Sequence, residues 1–193
     1  MGLNLKVKMS NYPNTKIHNT LPKILKHRAD IIPNTVALRD KDLGIWNEIT
    51  WKQYNDNVSY LALGLAKRGF KAGDVLGLIG DNKPSWIFFE LAAQAAGGMS
   101  LGVYRDTLDE EVGYLMDAAK VSFVYAEDQE QVDKILTIKR PKNNTINIFY
   151  EDSRGLKELN DPNITDMLDL INEGKALTSK DPEKYNKMID KVS

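Results

Sequence analysis

Three glycines stand where a phosphate-binding loop would be expected, around the first apolar segment of an alternation of strands and helices. Gly73, Gly77 and Gly80 are separated by three and two residues. This spacing matches neither the dinucleotide-binding fingerprint nor the phosphate loop, in which backbone N–H groups and a helix N-terminus bind the phosphates. Gly77 falls inside the predicted strand, so we predict that it allows close helix packing. Gly97 and Gly98 are predicted to end a helix.

The ionisable side chains form no catalytic pattern. Asp109–Glu110 and Glu127–Asp128 fall at predicted helix N-termini, where negative charge opposes the helix dipole, so we interpret both pairs as caps rather than general acids. His18 and His27 lie nine positions apart without an acid in metal-ligand spacing. The sequence contains no serine-hydrolase elbow, zinc-protease helix or protein-kinase signature set. The residues alone therefore predict no catalytic residue and no metal site.

Composition excludes several classes of protein. The chain has 193 residues, of which 42% are hydrophobic, and this suits a globular fold. Its formal net charge of -1 provides no general field for nucleic acid phosphates. Cysteine is absent, which removes disulfides and thiolate chemistry and favours a reducing cytoplasm. No stretch approaches the roughly 18 to 20 apolar residues of a membrane-spanning helix, and no secretory signal core is found.

The first 28 residues are basic and contain no acid. The basic residues are Lys6, Lys8, Lys16, Lys23, Lys26 and Arg28. We interpret residues 1–19 as a solvated basic leader. The alternative is weak peripheral contact with anionic lipid headgroups, to which each basic residue near a membrane surface contributes about 1 kcal/mol.

Helical and strand signals divide the remaining chain. A first helix is predicted from Thr20, with Pro22 in its first turn, and a hairpin is predicted over 36–40 and 45–49. Thr50 and Gln53 form a predicted capping box at the start of a second helix, which we expect to end at Gly69. A second box is predicted at Thr107 and Glu110.

From Lys71 onward, strands and helices alternate. Short apolar strands are predicted over 75–79, 99–104, 121–126 and 145–150, with helices between them. Three successive strand–helix–strand units imply a parallel sheet. We therefore predict an α/β fold, with an open, mainly parallel sheet and helices on both faces. Residues 20–156 would form this subdomain, and residues 157–193 would form a polar, helical C-terminal appendage outside the core.

Six collinear segments resemble a known family. They are TWKQY at 50–54, GLAKRGFKAGDVLGLIGDNKPSW at 64–86, ELAAQAAGG at 90–98, GVYRDT at 102–107, AEDQEQVDKIL at 126–136 and YEDSRGL at 150–156. Together they resemble the leading part of the adenylate-forming (AMP-forming) acyl-CoA synthetases, and the last three resemble the long-chain fatty acid branch.

The resemblance implies a two-step ligase reaction. A fatty carboxylate attacks the α-phosphate of Mg-bound ATP, and coenzyme A then captures the acyl-adenylate. The Ser-, Thr- and Gly-rich phosphate loop that this chemistry needs is absent from the sequence, and in the family it follows the segment corresponding to 184–193. We therefore expect an N-terminal fragment that is inactive by itself and holds no ATP or Mg²⁺. The alternative is a free-standing α/β binding or interaction module.

The sequence departs from the family pattern at two places and offers three weak substrate-binding candidates. Residues 82–86 read Asn-Lys-Pro-Ser-Trp where the family has Asn-Arg-Pro-Glu-Trp, and Arg105 replaces a common proline. Trp86, Tyr104 and Arg105 are predicted near the carboxyl ends of strands, where open α/β sheets bind ligands. Core packing is the alternative for Trp86, and Arg105 faces either an anion or solvent.

Fatty acid and coenzyme A are the substrates that the resemblance implies. The chain alone is expected to self-associate.

Overall fold

The computed structural model describes residues 13–138, 145–159 and 161–193. This part of the chain begins with a helix and an antiparallel hairpin, after which helices and strands alternate. In chain order the elements are α1 (Leu21–Ile31), β1 (Val36–Asp42), β2 (Ile45–Thr50), α2 (Trp51–Lys67), β3 (Val75–Ile79), α3 (Pro84–Ala95), β4 (Met99–Val103), α4 (Asp109–Ala118), β5 (Phe123–Ala126), α5 (Gln129–Thr137), β6 (Asn147–Tyr150), β7 (Ile164–Asp166), α6 (Met167–Lys180) and α7 (Lys184–Ile189).

Local signals in the sequence explain where several helices begin. The Thr50 hydroxyl accepts the N–H of Gln53 at 3.2 Å, and the Gln53 side chain accepts the N–H of Thr50 at 2.8 Å, which confirms the predicted capping box. The box predicted at Thr107 is wrong. The Thr107 N–H instead closes a turn onto the carbonyl of Tyr104 at 3.0 Å, so α4 begins later, with Leu108 as its N-cap and no side-chain cap.

Five parallel strands form the main sheet, in the order β4-β3-β5-β6-β7. Strand side chains alternate between two apolar layers. Leu78 and Tyr125 pack with α2, α3 and α6 on one face, whereas Ile79 and Val124 pack with α4 and α5 on the other. The predicted parallel sheet with helices on both faces is therefore confirmed. Strands β1 and β2 pair separately as the predicted antiparallel hairpin.

One glycine of the sequence pattern has the predicted packing role. A Cβ added to Gly77, within β3, would lie 3.2 Å from the side chain of Val121 and 3.6 Å from that of Met116, which belongs to α4. Gly77 thus allows α4 to pack closely on the sheet.

The C-terminal residues belong to the core, which corrects the prediction of a polar appendage outside it. Strand β7 adds to the sheet, and the side chains of Leu170 and Tyr185 are buried in the layer shared with α2 and α3. Helices α2 and α6 approach closely at Gly64 and Gly174, since a Cβ at Gly174 would lie 1.9 Å from the Tyr60 carbonyl oxygen. Both helices therefore present a glycine at their crossing.

In the described part of the chain, no helix is both long enough and apolar enough to cross a membrane.

Candidate functional site

The carboxyl ends of the parallel strands bring charged side chains together. Asp81 follows β3, Arg105 follows β4, and Glu127 and Asp128 follow β5. With Lys83 at the N-cap of α3, these residues form a group that we call the edge cluster. The chain leaves β3 through α3 on one face of the sheet and leaves β5 through α5 on the other face, and β3 and β5 are neighbours. The topological switch point therefore lies between β3 and β5. Open α/β sheets bind their ligands at this point.

Glu127 joins the two sides of the switch point. Its buried carboxylate accepts the backbone N–H of Asp81 at 2.6 Å and pairs with the Lys83 ammonium group at 2.7 Å. A Cβ at Gly80 would lie 2.6 Å from the Glu127 Cβ, so glycine is required for this approach. The prediction that Glu127 caps a helix is therefore wrong. Asp128 is the cap, since it accepts the N–H of Gln131 at 3.2 Å.

Arg105 faces carboxylates of its own chain. Its guanidinium group lies 2.6 Å from Asp81, 3.6 Å from Asp128 and 3.8 Å from Glu127. The hydrogen bond with Asp81 raises the pKa of Arg105. Lys134 donates to the Arg105 carbonyl oxygen at 2.6 Å and so holds the backbone at this strand exit.

Lys83 keeps its proton in spite of partial burial. Burial favours the neutral amine, but the hydrogen bond with Glu127 and the charges of Glu151 and Asp152 outweigh this effect and raise the pKa of Lys83. The side chains of Lys83 and Arg105 remain 39% and 30% exposed. Both cations are therefore partly accessible while they remain paired with carboxylates.

Two buried hydroxyl groups, from Ser85 and Tyr125, meet the half-buried carboxylate of Glu151 next to the edge cluster, and we call these three residues the trio. The hydroxyl groups of Ser85 and Tyr125 each donate to the same Glu151 carboxylate oxygen at 2.6 Å and lie 2.9 Å apart. Burial, followed by the negative charge of Glu151, raises the pKa of Tyr125. Tyr125 therefore keeps its hydroxyl proton. The hydrogen bonds of the trio join α3, β5 and the end of β6.

The three predicted substrate-binding residues lie at the same edge with different surroundings. Trp86, in the first turn of α3, is half-buried, and its ring would lie 3.0 Å from a Cβ at Gly102 of β4. Tyr104 is 89% exposed just beyond β4, next to the paired Arg105. The edge therefore combines an exposed aromatic ring with two half-exposed cations.

Sequence reasoning missed the other residues of this site. They are Asp81, Lys83, Ser85, Tyr125, Glu127 and Glu151. A usable signal is present, because a charged residue follows each of the strands β3, β5 and β6 within two positions, and such residues meet at one edge of a parallel sheet. Among the described residues, no group of three or more His, Cys, Asp or Glu side chains is arranged to hold a metal ion.

The sheet order and the helices on both faces define a doubly wound α/β domain with charged side chains at its switch point, and the comparisons specify the family. Residues 25–184 match the family model described as AMP-binding enzyme. The chain belongs to this AMP-binding enzyme family.

Sequence relatives are long-chain fatty acid–CoA ligases. A ligase of this name from Rattus norvegicus, ACSBG2, is 28% identical over 158 residues, covering 82% of this chain and 24% of the relative. The Drosophila melanogaster ligase heimdall is 27% identical over 134 residues, covering 67% of this chain and 20% of the relative. The chain is similar to the N-terminal part of such ligases and spans about a fifth to a quarter of the length of these two relatives.

Solved structures share the fold. The anthranilate CoA ligase AuaEII, in complex with anthranoyl-AMP, has a TM-score of 0.68 at 17% identity, covering 84% of this chain and 29% of that chain. A Brucella canis acyl-CoA synthetase has a TM-score of 0.62 at 18% identity, covering 72% of this chain and 24% of that chain.

Proposed function

We propose that this chain is the N-terminal α/β portion of a long-chain fatty acid–CoA ligase, and that it supplies scaffold and part of the wall of the acyl channel. The observation that carries the proposal is the match to the rat ligase over 158 residues. In the complete enzyme, ATP would activate a long-chain fatty acid as its acyl-adenylate, and coenzyme A would then accept the acyl group.

The residues of this chain do not fit ATP or Mg²⁺. The sequence lacks a phosphate loop, and the described residues form no metal-binding group. We therefore assign adenylate formation to residues outside this chain. The chain alone is expected to be inactive, and no step of the reaction is assigned to its side chains.

In this proposal, the carboxyl edge of the sheet is the surface that contacts the substrate. Tyr104 offers an exposed ring for contact with an acyl chain, and Trp86 supports β4 from behind by packing on Gly102. The Arg105 guanidinium group, fixed by Asp81, offers hydrogen-bond donors to an anionic group of the substrate. These three roles are part of the proposal.

A chimaera tests this function. The matched segment of the rat ligase is replaced by the corresponding 158 residues of this chain, and acyl-CoA formation from palmitate is measured. We expect activity, and we expect Tyr104→Ser to raise KM for palmitate several-fold. Tyr114→Ser is the matched control, because Tyr114 is also exposed, at 73%, but lies on α4. A chimaera that folds, as judged by circular dichroism, but makes no acyl-CoA would contradict the proposal.

A further inference from the structure

The tip of the β1–β2 hairpin exposes three large apolar side chains. Leu43 is 94% exposed, Ile45 is 68% exposed and Trp46 is 62% exposed. Single exposed apolar residues are ordinary on protein surfaces, but three within four positions at a projecting turn form a local apolar surface. Ile45 lies opposite Asp42, on the other face from Trp46. We call Leu43 and Trp46 the hairpin tip.

The turn itself is strained by its leucine. Leu43 has a φ of +46° and Gly44 a φ of +84°, which is the pattern of a type I′ turn. Asn, Asp and Gly suit the first central position of such a turn, whereas a leucine meets a steric penalty there. No burial offsets this penalty, because the Leu43 side chain is almost fully exposed. Backbone strain of this kind is concentrated at functional positions.

The two faces of the hairpin differ in charge, since one carries two cations and one acid and the other carries two acids. Lys41 lies opposite Trp46, and Arg39 lies opposite Glu48, so these four side chains share one face. The Lys41 ammonium group lies 5.7 Å from the centre of the Trp46 ring, and Arg39 pairs with Glu48 at 2.9 Å. Asp40 and Asp42 are on the opposite face. One face therefore presents an aromatic ring beneath a cation, and the other presents acids.

We propose that the hairpin tip inserts into the surface of an anionic phospholipid bilayer. Leu43 and Trp46 would enter the headgroup region, where tryptophan is favoured, and Lys41 would reach the anionic headgroups. The acidic face would point away from the membrane. A projecting turn with diverging apolar side chains fits a deformable bilayer better than a preformed protein groove. This inference concerns a surface separate from the sheet edge and does not depend on ligase activity.

Vesicle flotation of the full chain tests the proposal. Phosphatidylcholine vesicles are compared with and without phosphatidylserine, for the wild type, Leu43→Asn and Leu168→Asn. Asparagine suits a type I′ turn, so the first variant is expected to remain folded. Leu168, which is 60% exposed on α6, is the matched control. We expect Leu43→Asn to weaken partition into serine-containing vesicles about tenfold and the control to leave it unchanged.

Two further measurements separate the hairpin tip from the basic leader and from other occupants. Brominated lipids should quench tryptophan fluorescence in the wild type but much less in Trp46→Phe. After deletion of residues 1–16, the chain should still bind the vesicles, and Leu43→Asn should still weaken that binding. The proposal is overturned if the wild type does not float with vesicles, or if Leu43→Asn and the control bind equally. It is also overturned if Leu43→Asn abolishes only self-association, because a second copy would then be the occupant.

Discussion

The Glu127 carboxylate accepts the backbone N–H of Asp81 at 2.6 Å, so the end of β5 is tied directly to the end of β3. This contact spans the switch point of the sheet, where related α/β folds bind ligands. The same carboxylate pairs with Lys83, and Gly80 gives it room. The carboxyl edge of the sheet is therefore held in shape by interactions within the chain itself.

Removing the charge of Glu127 should weaken the fold. In Glu127→Gln the amide oxygen can still accept the Asp81 N–H, but the ion pair of a buried carboxylate with Lys83 is lost. We expect the free energy of unfolding in urea to fall by about 1 to 3 kcal/mol. Glu130→Gln is the control, because its side chain is 64% exposed and 3.8 Å from Arg105, and it should change stability by less than about 0.5 kcal/mol. Equal effects in both variants would show that Glu127 does not hold the switch point.

The sequence anticipated much of the framework, because that framework rests on local signals. The Thr50–Gln53 box, the hairpin and the apolar strands β3 to β6 each depend on neighbouring residues, and each was predictable. Strand β7 has three residues and no apolar run, so it has no strand signal of its own. Its pairing with β6 depends on tertiary contacts.

The candidate site was only partly predictable for a related reason. The sequence placed Trp86, Tyr104 and Arg105 near the carboxyl edge through strand positions alone. It could not identify Asp81 as the partner of Arg105, because that pairing depends on β4 lying beside β3 in the sheet order. In the sequence, Glu127 resembles a cap because it stands next to Asp128, the residue that does cap α5.

The packing of α6 on α2 should be sensitive to a single methyl group. In Gly174→Ala the new Cβ would lie 1.9 Å from the Tyr60 carbonyl oxygen, and backbone cannot yield as a flexible side chain can. We expect a loss of at least about 2 kcal/mol in the free energy of unfolding and faster proteolysis within residues 161–193. In the control Gly113→Ala, the new Cβ would lie 3.2 Å from the Ile138 side chain, and the effect should be smaller. Wild-type stability in Gly174→Ala would mean that α6 is not fixed against α2.

Stability should fall in alkali because of Tyr125. Burial and Glu151 raise the pKa of its hydroxyl group. The folded chain therefore keeps this proton at a pH where the unfolded chain, with a tyrosine pKa of about 10, loses it. The stabilisation is complete below about pH 10 and declines as pH rises above it.

Measuring the free energy of unfolding against pH tests this expectation. Tyr125→Phe should reduce the alkaline slope and also cost about 1 to 2 kcal/mol at neutral pH, since the hydrogen bond that Tyr125 donates to Glu151 is lost. Replacing the exposed Tyr114 by Phe provides the control and should change neither quantity. An unchanged alkaline slope in Tyr125→Phe would rule out the trio of Ser85, Tyr125 and Glu151 as the source of that slope.

The isolated chain should self-associate. Leu108 is 70% exposed and Leu136, on α5, is 48% exposed, and in the proposed ligase further parts of the enzyme would cover such surface. Light scattering should show association that rises with concentration, and a hydrophobic dye should bind the folded chain. Co-expression with the remainder of a related ligase should suppress both effects. A strictly monomeric, dye-silent protein would instead favour a free-standing module.

Pyrophosphate release by the purified chain tests most directly the claim that the adenylation chemistry lies outside these residues. The assay contains ATP, Mg²⁺ and palmitate, with an intact long-chain fatty acid–CoA ligase as positive control and heat-treated chain as blank. We predict no release above the blank from the chain alone, with or without coenzyme A. Release that requires both ATP and palmitate would contradict the account, because it would place the phosphate-handling groups within this chain.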